Sequence, residues 1–353
     1  MRICYLTGAR LKQKNGGILE NESESLEHII PNALGGRLKS KDILSHYANQ
    51  HLNETVDKKF VKIFEAFCLR LELGRDRPAT PSMRGKHSHY GVDVIFKNNR
   101  FYPTKPVFDE QNMVIYADSE KTGHNYRTHL LAKGKIAAAD AVRVFDDMAG
   151  SIELKFELDN KVFNQGFAKI AVGFATLKGV AREYLRSAVD IEKNRLREDI
   201  ILIPSVPKSH IEQEFELQVR KGSHYPVHGL VLYGSRKDRL LYCHVELFSA
   251  FQWHVILDDN YEGEDIFHSY IHQLSMDSEI TLNEYLCSVL SEESGRALAP
   301  CYKRITKNDA VNLRTRHIIG SDMMRKYTYF KFNSLCAFSN MIYLRRKMAI
   351  LGL

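Results

Sequence analysis

At 353 residues and 44% hydrophobic composition the chain is long enough for two or three domains and apolar enough for a sizeable core. A modest net charge of +7 and 26% charged residues exclude a disordered polyelectrolyte, and no apolar run reaches membrane length. The start, MRICYLTGARL, lacks a signal peptide's apolar region, and the six cysteines form no close pairs, so the expectation is a cytoplasmic protein with reduced thiols and no membrane partner.

Taken in chain order, residues 2–11 are strand-like, and Asn15-Gly16-Gly17 signals a hairpin turn. The segment SLEHIIP at residues 25–31 is a short strand that must end at Pro31, because proline has no backbone donor. Asn32, Gly35 and Gly36 supply turn chemistry, and Ile43 with Leu44 forms a brief return strand. From about Ala48, apolar Leu52, Val56, Phe60, Ile63, Phe64, Phe67 and Leu71 recur at helical spacing, with Gly74 as a stop. The local unit is therefore strand, loop, strand and helix, with Glu27 and His28 on the first strand and Asn49 at the helix start.

No other segment concentrates polar chemistry as residues 25–57 do. Glu27 and the amide oxygen of Asn49 are hard oxygen ligands of the kind Mg²⁺ or Mn²⁺ takes, leaving further positions to water and substrate phosphate. His28, neutral near pH 7, is placed to deprotonate a water for attack on phosphorus, and Asp42 to fix its tautomer from behind. Asn53 and Asp57, on the polar side of the helix, are either outlying support for these groups or a solvated face. Singly, a His-Ile-Ile-Pro is a strand end and an Asn before a helix is an N-cap; the combination with Gly35-Gly36 between them points to catalysis.

Glu27-His28-Ile29-Ile30-Pro31, then Gly35-Gly36, then Asn49 before a helix resembles the HNH, or ββα-metal, endonuclease motif. By position the resemblance makes His28 the general base, puts Glu27 and Asn49 on the metal, and sets Asp42 near the middle residue that orients the base. Many relatives frame this motif with two Cys-x-x-Cys pairs that hold a structural zinc. Here the pairs have become Cys4 with Thr7, and Ser45 with Ala48, which cannot hold zinc tetrahedrally, so no structural zinc is expected; His46 is the one replacement ligand in view. Packing of Ile3, Tyr5 and Leu6 has to hold the hairpin instead.

Beyond the motif, residues 74–89, with Arg75, Arg77, Pro78, Pro81, Arg84 and Lys86, have the composition of a basic linker. Residues 90–117 alternate as antiparallel strands, 136–148 have a helical pattern, 152–158 a strand, and 162–185 a long half-buried helix. From 201 to 257 the pattern returns to strands at ILIPSVP, FELQV, HGLVLYG and LLYCHVELFSAFQWHVIL, the last turning near Ser249 and Ala250. The aromatic cluster around Trp253 is either core or a platform for bases. His87 with His89, and His268 with His272 at helical spacing, are bare metal pairs with no third ligand fixed by a motif. Between Cys301 and Leu353 eleven Lys and Arg face two Asp, an excess of nine that outweighs the whole chain's +7. Interleaved aromatics make this segment suited to a polyanion, although a solvated basic face has the same composition.

The resulting expectation is an α+β protein: an N-terminal ββα-metal module at 1–75, a larger mixed, strand-rich recognition or sensing region at 76–300, and a basic segment at 301–353 packed on it. The resemblance implies a metal-dependent endonuclease acting on double-stranded DNA, in a restriction or anti-phage role. Arg37, Lys39, Lys41, Arg314, Arg316, Arg325, Lys326, Arg345, Arg346 and Lys347 are the candidate nucleic-acid contacts. A homodimer would let one-site enzymes cut both strands. The alternatives are a binding protein on a degenerate scaffold, and an RNase using the same residues.

Overall fold

The computed structural model describes residues 2–13, 20–71, 73, 82–97, 100–148, 150–153, 159–315 and 322–351, side chains excepted at 313–315, 322–328, 347, 350 and 351. In chain order the elements are β1 (Glu27–His28), β2 (Lys39–Ser40), α1 (His46–Leu52), a π-helical turn at Asn53–Asp57, α2 (Lys58–Leu71), β3 (Met83–His87), β4 (Asp93–Lys97), β5 (Arg100–Pro103), β6 (Val107–Asp109) and β7 (Val114–Tyr116). There follow α3 (Glu120–Ala132), β8 (Arg143–Phe145), β9 (Ile152–Glu153), α4 (Asn160–Leu177), β10 (Val189–Asp190), β11 (Arg195–Leu196), β12 (Leu202–Pro204), α5 (His210–Gln218), β13 (Val227–Ser235), β14 (Leu240–Leu247) and β15 (Phe251–Asp258). The chain closes with β16 (Ile266–Gln273), β17 (Ser278–Ile280), α6 (Leu282–Cys287), α7 (Glu292–Leu298), α8 (Lys307–Thr315) and α9 (Asp322–Leu351). The class is mixed α+β, and no described helix is long and apolar enough to cross a membrane.

Contacts divide the chain into two compact units, Met1–Phe64 with Leu158–Met341, and Glu65–Glu157 with Ile342–Leu353. Both are discontinuous in sequence. This is a partition by packing, different from the order-of-function division at 75 and 300.

The first unit is built on the antiparallel sheet β12-β15-β14-β13-β16-β17. Alternate residues of a strand face opposite ways, and Val227, Val231, Tyr233, Leu240, Tyr242 and Ile256 turn one face into a core with Phe215 of α5, Tyr285 and Leu286 of α6 and Leu298 of α7. The opposite face carries α4, which packs across β13, β14 and β15. From Gly166 to Ala175 every residue of α4 is buried, as a run that is apolar or small at every position but Lys169 requires of a helix. Trp253 is half-buried, its ring meeting Phe163 of α4 edge to face at 5.8 Å.

α4 also carries the strand, loop, strand and helix unit on its other side. Gly166, Lys169 and Gly173 share one helix face by their three- and four-residue spacing. A Cβ on Gly166 would fall 2.1 Å from the ring of Phe60, so α4 and α2 approach to backbone distance there. At Gly173 the nearest neighbours are the ends of Ile29 and Ile43. Gly36 is equally constrained, since a Cβ would sit 1.9 Å from the carbonyl oxygen of Ile30 and prise open the loop after Pro31.

Several local expectations are corrected. Residues 2–11 form a tight turn with a single Ile3–Arg10 bridge, and two carbonyls of that turn, Tyr5 and Leu6, are clamped by Arg182 at 2.9 and 2.7 Å. The return strand is Lys39–Ser40; Ile43 and Leu44 are buried, with their carbonyls accepting from Tyr5 and Ser25. The helix begins at His46 on the side-chain cap of Ser45, and a π turn interrupts it before α2. FELQV lies in α5, where Ser209 accepts from the Glu212 amide and starts a helix. His268 and His272 lie on β16, where four residues span about 13 Å and cannot share a metal.

The second unit holds the antiparallel sheet β5-β4-β3-β9 and a three-stranded sheet β6-β7-β8, in which β7 and β8 are parallel. Its cores are Leu69, Val94, Phe96, Phe101 and Met148 with Tyr343, and Ile115, Ala117, Leu130 and Ile136. The helix of this region is α3, ahead of the expected 136–148, which contributes β8 instead. Arg84 and Lys86 of the expected linker stand on β3, whereas Asn15, Gly16, Gly17, Gly74, Arg75, Arg77, Pro78 and Pro81 lie outside the described residues.

The two glycines of α4 give a test on one helix. Gly166→Ala should destabilise by about 1–3 kcal/mol or more, because the Phe60 ring has no room to withdraw. Gly173→Ala, facing only flexible isoleucine ends, should stay within about 1 kcal/mol of the parent, alanine's helix propensity offsetting the crowding. Urea unfolding of both variants checks this.

Candidate active site

β1 is two residues long and separates its side chains onto two faces. Glu27 is opposite Ser40 and His28 opposite Lys39 in the β1–β2 register. Cross-strand partners point the same way, so Glu27 and Ser40 turn inward and both are buried, while half-buried His28 shares the outer face with exposed Lys39.

On the inner face the Glu27 carboxylate meets the ammonium of Lys169 from α4 at 2.6 Å, and Lys169 also donates to Oδ2 of Asp57. The side chains of Lys169 and Glu27 are only 3% and 7% exposed. Asp57 ends the π turn, whose extra residue per turn re-aims the side chain. Its other oxygen, Oδ1, is buried with no hydrogen-bond partner. Burial alone would lower the pKa of Lys169, but Glu27 and Asp57 more than reverse this and hold it above its ordinary range, so the ammonium is charged. The hydroxyl of Tyr5, buried in the same place without a partner, is pushed well up by burial and by the negative charge of Glu27.

Asn49 lies in the first turns of α1. Its side-chain nitrogen donates to Ser25 Oγ at 2.7 Å, two residues ahead of Glu27, and the amide oxygen is the side chain's acceptor. Glu27, Asn49 and Asp57 thus offer two carboxylates and an amide oxygen, one carboxylate oxygen buried and unsatisfied. This donor chemistry suits a hard divalent cation, with Glu27 and Asn49 as the residues to hold it. Among the described residues no cluster of three His, Cys, Asp or Glu is placed to bind a metal.

The other expected residues are distributed differently. Asp42, expected behind His28, is an exposed carboxylate that accepts from Arg2 at 3.0 Å, because Arg2 sits across the N-terminal turn and draws it outward. Asn53 is exposed on the outer side of the helix. Arg37 forms a bidentate pair with Asp277 at 2.7 and 2.8 Å, whereas Lys39 and Lys41 are exposed. In the basic segment Lys303 and Lys331 are internal, both on Glu216, and so are not part of a surface. Arg345 is exposed and Arg346 half-buried on α9; Arg316 and the side chains of Arg314, Arg325, Lys326 and Lys347 lie outside the described residues. His46 is half-buried beside the Ser45 cap.

Two contributors were missed from sequence. Lys169 is the one charged residue between Val162 and Leu177, within a run that is otherwise apolar or small, and a lysine buried in such a run must be paired. His228 of β13 holds the loop after Pro31: its Nε2–H donates to the Leu34 carbonyl at 2.8 Å and Nδ1 accepts from the Phe248 amide at 3.3 Å. No spacing rule announces that contact.

Comparison with known proteins bears on the same stretch. Residues 17–65 match the family model described as HNH endonuclease. No curated protein and no solved structure gives a significant match to the chain. The matched residues include Glu27, His28, Asn49 and Asp57 and end well before Lys169 and His228.

Burial pushes His228 down to about 3, so the native ring stays neutral while the unfolded one titrates near its ordinary value. Below pH 6.5 the unfolded state takes up a proton that the native state refuses, and stability falls as pH drops toward 3. His228→Gln should therefore be less stable at pH 7 but decline less between pH 7 and pH 5, by about 2 kcal/mol relative to the parent. Urea unfolding at the two pH values measures both slopes.

Proposed function

Because residues 17–65 form an HNH endonuclease domain, we propose that this chain is a metal-dependent endonuclease that hydrolyses phosphodiester bonds of double-stranded DNA. The observation that carries the reading is the family-model match over Glu27, His28 and Asn49, in which β1 turns Glu27 inward and half-buried His28 to the outer face with Lys39. His28 takes the proton from the attacking water. Lys39, across the strand pair on the same face, offers positive charge to the phosphate that the water attacks. Glu27 and Asn49 would hold Mg²⁺ or Mn²⁺, which when bound would supply positive charge to the leaving oxygen. Asn49 is oriented for this by its hydrogen bond to Ser25.

Residues 1–75 act as the nuclease module, 76–300 as a recognition or sensing region, and 301–353 as a basic segment against it. A homodimer in the cytoplasm, cutting foreign DNA in restriction or anti-phage defence, fits this layout. Of the expected phosphate contacts, Lys39 and Lys41 are exposed on the module and Arg345 is exposed on α9.

In a plasmid-cleavage assay with Mg²⁺ or Mn²⁺, His28→Ala should lose about 10²–10⁴-fold in rate, and Lys39→Ala should lose less. Equal nicking by the parent and His28→Ala would remove the assignment of the base. Cleavage of RNA in place of DNA would shift the substrate class, and binding of DNA by a parent that never cleaves would favour a nucleic-acid-binding scaffold.

A further inference from the structure

The Glu27 carboxylate has two claimants, a divalent ion and the ammonium of Lys169. We propose that Lys169 is a resident cation of the active site that competes with the divalent metal for the acidic pair Glu27 and Asp57, and so keeps metal affinity low until substrate phosphate adds its own charge. The inference rests on the reading of residues 17–65 as a metal-dependent nuclease module.

Geometry supports it in three ways. Lys169 reaches Glu27 at 2.6 Å and Asp57 by a direct hydrogen bond, so both carboxylates already have a cation. The lysine does not swing in from the surface: it is fixed on α4, whose Gly166 and Gly173, on the same helix face, let the module approach closely. The pairing is also incomplete, because one ammonium serves two carboxylates and Asp57 Oδ1 is left buried with no donor. A site with one net negative charge and an unsatisfied carboxylate oxygen still attracts a dication, but less strongly than two unneutralised carboxylates would. Lys169 lies outside the residues matched by the family model, so this control is supplied by the downstream part of the chain.

Lys169→Met keeps the length of the side chain and removes the charge. Mn²⁺ binding is measured by titration calorimetry on the full chain without nucleic acid at pH 7.5, with circular dichroism to confirm folding. Lys169→Met should bind Mn²⁺ more tightly than the parent, on the order of tenfold or more. Affinity equal to or weaker than the parent's, in a folded variant, would overturn the proposal and leave Lys169 a structural ion pair. If the methionine variant does not fold, Lys169→Gln removes the charge while keeping a side-chain donor for the two carboxylates. That variant should still exceed the parent in affinity, and equality would again overturn the proposal. Glu27→Gln separates the two levels of inference. A parent that binds Mn²⁺ and a Glu27→Gln variant that does not sustain the metal site whatever Lys169 does, whereas Mn²⁺ binding by neither the parent nor Lys169→Met overturns the metal site and this proposal together.

Discussion

A lysine ammonium held between two carboxylates, with almost no solvent, is the constraint from which the first unit is arranged. Taking Glu27, Asp57 and Lys169 out of water is costly for each ion, and the cost is offset only while all three remain together. Removing one partner of such a group typically costs about 3–5 kcal/mol, because it strands an uncompensated charge. Three distant pieces of sequence are thereby held in one register: the β1 strand, the π turn before α2, and the centre of α4. Gly166, three residues before Lys169 on α4, follows from the same demand, since a side chain there would strike the Phe60 ring and hold α4 and α2 apart.

The other face of the large sheet repeats the device. Glu216 of α5 receives Lys303 and also Lys331 of α9 at 2.5 Å, and both lysines donate to Gln252 of β15. Burial alone would raise the Glu216 carboxyl, but the two ammonium groups pull it down to about 2. Glu212 lies 3.7 Å from Lys303 as well, so on the α5 face two ammonium groups face two carboxylates, whereas at Glu27 one ammonium serves two. The sheet therefore carries a balanced ionic pin on one face and a net acidic group on the other.

The sequence made legible what depends on short-range chemistry. Gly36 is required because a side chain would strike Ile30, the hairpin turns at Ser249, and the apolar run around α4 is a buried helix, whereas the strand expected to run to Pro31 stops at His28. Glu27, His28 and Asn49 were visible because the motif is local. Elements with weak periodicity misled: Phe215, Leu217 and Val219 alternate like a strand, but Ser209 and Glu212 form a capping pair that starts α5. Polar α3 lacked an apolar stripe altogether. Composition also overstated the basic surface, since a count of charges cannot tell that Lys303 and Lys331 are turned inward onto Glu216. Lys169 and His228 were hidden for a different reason. Periodicity tells that a position is buried, but the partner that burial brings to it is set by tertiary packing over more than a hundred residues.

The consequence for the nuclease reading is a coupling between chemistry and fold. A two-residue strand cannot by itself fix where a carboxylate and an imidazole point; its backbone has too few ladder bonds. In this chain the inner side chain is fixed by Lys169, and the loop that follows by His228 on the Leu34 carbonyl. Both anchors belong to the large sheet and its helix. The residues matched by the family model therefore contain Glu27, His28 and Asn49 but not Lys169 and His228, and a displacement of α4 along its axis would alter the charge at Glu27 while leaving His28 and Lys39 on the outer face. On the proposed reading the metal-binding side would then fail before the base is disturbed, so the charge at Glu27 depends on α4 and not on the hairpin alone.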